Sequence, residues 1–501
     1  MPPELPGFYF DEVKNRYFPV KGPIPGSSRA ASSVSVSAPS SSSSTLFRTK
    51  IKIPKAVMAR ELHGNVIHSR KGSYNFQMEC HKRHVSHPTV WKYRGTESTG
   101  DGGLEQLHID INMPDELLRT DILLAGGLNG SLSLFVVGKE GRQFINGRKS
   151  VPDCVWPTNP ENPEGRVQNP GNLWRPAGAV IQMNSNISSI KMSKKLKRNI
   201  LTGASSKQLV LITTLGSDTC GGSVHILNLS EPLGNNPTIT SMRRRICNVT
   251  PFNTTVWTAD CNYDGTRAAI GTSMGASLLN IETNSIAWVM RSKSDVLSLQ
   301  LDDSGNTVLC GLRNGAILTF DTREKSQCRL PRRRIPYPSR AAAEPQPKRR
   351  KGTPTKWFEL RGHMDESKNF SMPSSITWME SLQLYDQYFL TSSMDGLIRL
   401  YDHRLIDRGP VQSYEGNVNS HTRMQLAVDP YERVLMSGGE DCKTRLWSIK
   451  SGELLYEKKF MDSVPSVVSW PLKETFEGSN GWDHSCGAWV ASDEGIFNMR
   501  W

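Results

Sequence analysis

The sequence predicts an all-β fold, a β-propeller, on three observations. One strand–turn–strand unit recurs along the chain, its turns fall at a near-regular interval, and the strands beside them alternate in polarity. The sharpest copy runs Phe389-Leu390-Thr391-Ser392-Ser393-Met394-Asp395-Gly396-Leu397-Ile398-Arg399-Leu400-Tyr401-Asp402-His403-Arg404. Asp395-Gly396 offers the positive φ that a two-residue hairpin needs. After it, Leu397, Arg399 and Tyr401 alternate with Ile398 and Leu400, which sets the two groups on opposite faces of a strand.

Six further copies lie at Gly126 to Val137, Thr213 to Leu229, Ala269 to Thr283, Val308 to Arg323, Leu435 to Lys450 and Val490 to Trp501. Most neighbouring turns are about 40 to 53 residues apart, the period of a WD repeat with four short strands per blade. The expected fold is a seven-bladed WD-type β-propeller behind a disordered N-terminal extension.

Residues 1–85 form that extension. Gly22 to Thr45 is rich in Ser, Pro, Ala and Gly and holds too little apolar surface to offset its ordering entropy. Upstream, Leu5-Pro6-Gly7-Phe8-Tyr9-Phe10-Asp11-Glu12-Val13-Lys14-Asn15-Arg16-Tyr17-Phe18 sets two aromatic clusters around a polar turn, the pattern of a small hairpin and an aromatic linear motif at 5–18.

The propeller is expected over 86–501. Its last repeat, Gly495-Ile496-Phe497-Asn498-Met499-Arg500-Trp501, lacks an outer strand, and Thr89-Val90-Trp91-Lys92-Tyr93-Arg94-Gly95 can supply it, leaving no exposed edge. That segment is similar to Lys356-Trp357-Phe358-Glu359-Leu360-Arg361-Gly362, which should enter the fifth blade. Two spacings are long. Residues 138–178, rich in Pro, Asn and Gly, read as a surface insertion, and the gap around them leaves room for an eighth blade. Residues 325–356 form the second insertion.

The chain has 501 residues and a formal net charge of +13, but the excess is local. Residues 325–356 contain 11 Lys or Arg against the single acid Glu344. Arg332, Arg333 and Arg334 form one cluster and Lys348, Arg349, Arg350 and Lys351 a second, the layout of a nuclear-import signal or a nucleic-acid patch. No aromatic residues interleave with them as a stacking platform, so import is favoured over nucleic-acid binding. A nuclear protein, also present in the cytoplasm, is expected. The nine cysteines include no CxxC pair, which fits reduced thiols. The N-terminus carries Glu4, Asp11 and Glu12 without an apolar run, so no secretory leader is expected. No stretch approaches the ~20 apolar residues of a membrane span.

Candidate chemistry is sparse. Cys80-His81 with His84 and His87 matches no standard zinc spacing, so no metal or other cofactor is expected. No nucleophile elbow, phosphate loop or carboxylate pair stands out; Asp264, His363, Asp386 and Asp429 read as turn-holders, and no enzyme is expected. The informative pattern is the Asp-x-Arg ending of two consecutive copies, Phe320-Asp321-Thr322-Arg323 and Tyr401-Asp402-His403-Arg404. An aromatic-Asp pair closes the third strand of a WD repeat. An Arg two residues later has no such duty and should project from the rim as a planar donor for a partner.

On these residues the chain resembles the WD-repeat substrate receptors of cullin-4 RING ubiquitin ligases, and Leu5 to Phe18 is similar to the N-terminal segment of one member. The resemblance implies docking on the ligase adaptor, damaged-DNA-binding protein one, through Phe320, Asp321, Arg323, Tyr401, Asp402 and Arg404, with an unknown protein substrate presented for ubiquitination. The fourth copy departs from the family pattern, with Asn314 in place of an acid and Phe320 in place of Trp. The competing readings are a nuclear scaffold without ligase linkage and a nucleic-acid binder acting through the basic insert.

Overall fold

A computed structural model describes residues 8–11, 16–19, 76–112, 117–138, 147–157, 170–193, 208–217, 220–234, 237–249, 251–323, 332–336, 357–362, 369–471 and 487–501. The chain divides into two units, Met1–Ala56 and Val57–Trp501. The first contains an antiparallel hairpin, Phe8–Asp11 with Arg16–Pro19, in which Tyr9 faces Phe18 and Phe10 faces Tyr17. The Ser-rich stretch expected to be disordered lies outside the described residues.

The second unit is all-β apart from short helices. Seven innermost strands touch in chain order: Gly103–Asn112, Ile187–Met192, Val256–Cys261, Val296–Leu301, Ile376–Ser381, Leu426–Val428 and Val467–Ser469. The last touches the first again, so they form a closed ring. Each continues outward through antiparallel neighbours into its own sheet. Val296–Leu301 shows why the strands read as apolar on both faces: all six of its residues are buried, because each sheet is covered by the next on either side.

Six of these sheets are blades drawn from one continuous run of chain. This corrects the expectation of seven repeats of one kind. The remaining sheet is a composite of both chain ends: Val467–Ser469, Ala488–Ser492 and Gly495–Arg500 continue into Thr89–Tyr93, which pairs antiparallel with Gly495–Arg500. The outer strand expected at Thr89 to Gly95 is therefore present.

Pro152–Trp156 then covers the free edge of Thr89–Tyr93, while Gly147–Ser150 pairs with Asn172–Pro176 at the edge of the first blade. Residues 138–178 thus lace two sheets together instead of forming only a surface insertion. Trp357–Gly362 does not enter the fifth blade. It adds to Ser285–Ser292 at the edge of the third and carries Arg332–Pro336 outside it. Arg332, Arg333 and Arg334 therefore lie on a paired strand, Arg334 within 3.8 Å of Glu359. Lys348, Arg349, Arg350 and Lys351 lie outside the described residues, as does His363.

The ordered body begins before residue 86. The helix Phe76–Val85 packs against Leu454–Lys459, Lys82 bonds Glu453 at 2.7 Å, and Val85 is buried. Its last carbonyl, that of Val85, accepts a 2.8 Å hydrogen bond from Trp501 Nε1. Cys80, His81 and His84 ride on this helix, and among the described residues no three metal-ligating side chains converge.

The repeated hairpins are one residue longer than expected. In the fifth blade Ser392 pairs with Ile398 and the Ser393 amide donates to Leu397, leaving Met394-Asp395-Gly396 as the loop. Only Gly396 has a positive φ, +80°. A three-residue loop needs a single left-handed position, where the two-residue type I′ turn needs two.

Candidate functional site

Alternation along Ile398–Asp402 divides its residues between the interior and the rim. Tyr401 faces Phe389 across the strand pair, with ring centroids 5.7 Å apart, and lies 4.4 Å from the Phe370 ring. Tyr401 is 2% exposed and Phe320, its counterpart one blade earlier, is fully buried. Both expected contact residues are core anchors and cannot touch a partner while the blade is folded. Removing such a ring typically costs about 3–5 kcal/mol of stability.

Asp402 and Arg404 form one unit. The buried Asp402 carboxylate accepts the Arg404 backbone N–H at 2.8 Å, and the guanidinium returns to it with Nε to Oδ1 at 3.1 Å and Nη2 to Oδ2 at 2.9 Å. Asp321 and Arg323 repeat this arrangement, with the backbone bond at 2.9 Å and Nη2 to Oδ2 at 2.6 Å. In each, a strand-end Asp fixes the following Arg by its side-on two-donor edge. The arginines stay about two-thirds exposed, 68% for Arg323 and 67% for Arg404. Hydrogen bonding to Arg404 holds the Asp402 carboxyl below its usual range against the effect of desolvation, and the same bond raises the guanidinium.

The two arginines differ in their surroundings. Beside Arg404, the loop joining Ile376–Ser381 to Tyr388–Ser393 exposes Leu384 at 63% and Tyr385 at 52%, and Leu405 adds a third apolar side chain at 43%. The His403 amide donates to the Gln387 carbonyl at 2.9 Å, tying the two loops together, and Asp386 adds an attraction to Arg404. The next blade sets the shape of this loop. Glu432 sits in the left-handed region at φ 53° and accepts the backbone N–H groups of Gln383, Leu384 at 3.0 Å and Tyr385 at 3.1 Å. With those amides satisfied from behind, Leu384 and Tyr385 turn outward. The corresponding loop beside Arg323 is Asp302-Asp303-Ser304-Gly305, polar throughout.

Sequence reasoning missed Leu384, Tyr385 and Glu432. The one available signal was Leu-x-Leu-Tyr running into Asp386 at a blade turn, where polar residues are the rule. Of the expected turn-holders, Asp429 does that work, accepting the amides of Tyr431, Arg433 and Val434 at 3.3, 2.5 and 2.7 Å.

A closed ring of antiparallel sheets with the Asp-turned hairpin motif defines a WD-repeat β-propeller. The family described as WD domain, G-beta repeat matches residues 409–448. The chain is similar to DDB1- and CUL4-associated factor 4 of Homo sapiens, 39% identical over 110 residues that cover 22% of each chain. It is similar to the Bos taurus protein of the same name, 37% identical over 82 residues and 16% of each chain. It is also 38% identical over 117 residues to human DDB1- and CUL4-associated factor 4-like protein 2, covering 22% of this chain and 29% of that one. The matched stretches thus span less than a third of the length of these relatives.

Proposed function

We propose that this protein is a non-catalytic substrate-recognition subunit of a cullin-4 ubiquitin ligase that docks on the adaptor DDB1. The composite sheet serves as its seventh blade. Arg404 and Arg323 are the docking groups, Asp402 and Asp321 hold them, and Phe320 and Tyr401 hold the strands beneath. The observation that carries this reading is the repetition of one Asp-anchored, exposed Arg on two adjacent blades. A fold needs the buried Asp as a strand stop, but gains little from an exposed guanidinium pair in water. The names of the similar proteins support the choice of partner. Acting as a receptor, the propeller raises the effective concentration of its target near the ligase and needs no chemistry of its own. The basic clusters of residues 325–356 direct the protein to the nucleus.

The deciding experiment is adaptor binding by the full chain carrying Arg323→Ala with Arg404→Ala, measured alongside thermal melting. Binding lost at an unchanged melting temperature supports docking through this pair. Undiminished binding removes it.

A further inference from the structure

The propeller axis contains a second group of charges that docking does not use. A cavity of about 80 Å³ opens among the inner strands, lined in part by Lys191, Trp378, Glu380 and Gln425. Trp378 organises it. Its Nε1 donates to Glu380 Oε2 at 3.2 Å, Lys191 Nζ lies 4.2 Å from its ring centroid, and the Arg423 guanidinium carbon lies 5.6 Å from the same ring. Lys191 is also within 3.5 Å of Glu380, so one cation and one anion are matched. Arg423 is left over.

Arg423 uses one of its donor groups, Nη1, on the Ser188 carbonyl at 2.6 Å. Its Nε and Nη2 are buried and have no partner among the described residues. These two atoms are the side-on edge of the guanidinium, the edge that Arg323 and Arg404 each set against an Asp carboxylate. An unmet buried donor pair on a cation is costly and calls for an acceptor. Desolvation reports the same deficit, pushing the Arg423 guanidinium down to about 10. Its position allows access: residues 415–425 contain no strand, so Arg423 ends an irregular segment that runs to the axis.

We propose that Arg423 is the receiving group of an axial site for a carboxylate, the side chain of an acidic residue on a bound protein, which takes Nε and Nη2 together. A carboxylate matches the spacing of that edge, and the Lys191–Glu380 pair on Trp378 leaves no second open cation to favour a more highly charged group. The edge is closed off in this structure, so the acid enters as residues 415–425 shift. Glu105 also lines the cavity. It restricts the site to a single acidic group by repelling a second.

The test uses the full chain and a fluorescent deca-glutamate peptide, with its deca-glutamine counterpart as control, read by anisotropy at physiological ionic strength. Arg423→Lys keeps the charge and loses the fork; Arg423→Gln loses both. Two charge-assisted bonds lead to an affinity for the glutamate peptide about tenfold or more weaker in either variant. Slower hydrogen exchange over residues 415–425 should accompany binding to the parent alone. The basic segment 325–356 is unchanged in all three proteins, so its non-specific attraction cancels. Equal affinity across the three proteins, or no binding by the parent, overturns the proposal. Stronger competition by inorganic phosphate than by acetate overturns the choice of a carboxylate. Adaptor binding is not measured here, so this failure and a failure of the docking reading are distinguishable.

Discussion

Asp402 binds Arg404 twice, once through the backbone N–H and once through the side-on edge of the guanidinium, although only one residue separates them. The carboxylate is buried and the guanidinium exposed, so a rigid element of the blade aims a charge outward. Asp402→Ala should therefore weaken adaptor binding with Arg404 still present, because the side chain must then be ordered on contact. Arg404→Lys should fail to restore binding. Surface plasmon resonance against the adaptor checks both; full binding by either variant contradicts an aimed guanidinium.

Leu384 and Tyr385 should matter to docking through Arg404 and be indifferent to stability. Tyr385→Asp is expected to weaken the adaptor complex about tenfold or more, as loss of a well-packed interface aromatic does, without lowering the melting temperature. Arg323→Ala alone should cost less than Arg404→Ala, since only polar residues surround Arg323. A stronger effect at Arg323 would reverse this ranking.

Phe320→Ala and Tyr401→Ala should abolish binding only by unfolding their blades. Each should lower stability by about 3–5 kcal/mol in denaturant titration. A variant that melts normally yet fails to bind would return that ring to the interface.

Truncation should separate the helix from the closing strand. Removing residues 1–75 should leave thermal stability unchanged. Removing 1–87 should lower it, through loss of buried Val85 and of the acceptor for Trp501. Removing 1–96 should lower it further by exposing the edge of Gly495–Arg500. Identical melting of the last two deletions would contradict the strand's role.

Two carboxylates of the sixth blade should give stability opposite pH slopes. Burial raises Asp429 from 3.8 to about 6, so the native state keeps a proton that the unfolded chain has released. Stability from this group falls as pH rises from about 4 to 6. Burial also opposes ionisation of Glu440, but bonds from Ser420, Thr422 and the His421 amide outweigh it and lower the carboxyl from 4.5 to about 2. Stability from Glu440 is lost as pH falls from about 4.5 to 2. Urea titrations across pH should show the first slope vanish in Asp429→Asn and the second in Glu440→Gln.

The ring and its closure were legible because both are local in sequence. Strand alternation, turn residues and an outer strand missing from Gly495 to Trp501 all show in a linear reading. The split of the docking motif into buried and exposed parts was not. Phe320 and Arg323 are close in sequence, and only the packing of neighbouring sheets makes one core and the other rim. Glu432 was invisible for a related reason: its three acceptor bonds reach back nearly fifty residues into another blade. The two insertions misled because composition reports turn-forming residues, whereas strands such as Pro152–Trp156 are imposed by an edge that needs covering.

The strand pair between Thr89–Tyr93 and Gly495–Arg500 also fixes an order of events during translation. Six blades can assemble one after another as the chain leaves the ribosome, each from its own run of residues. The ring cannot shut until residues near 500 have emerged to meet a strand made about four hundred residues earlier. Until then Thr89–Tyr93 is an unpaired edge on a growing nascent chain, the species most in need of a chaperone.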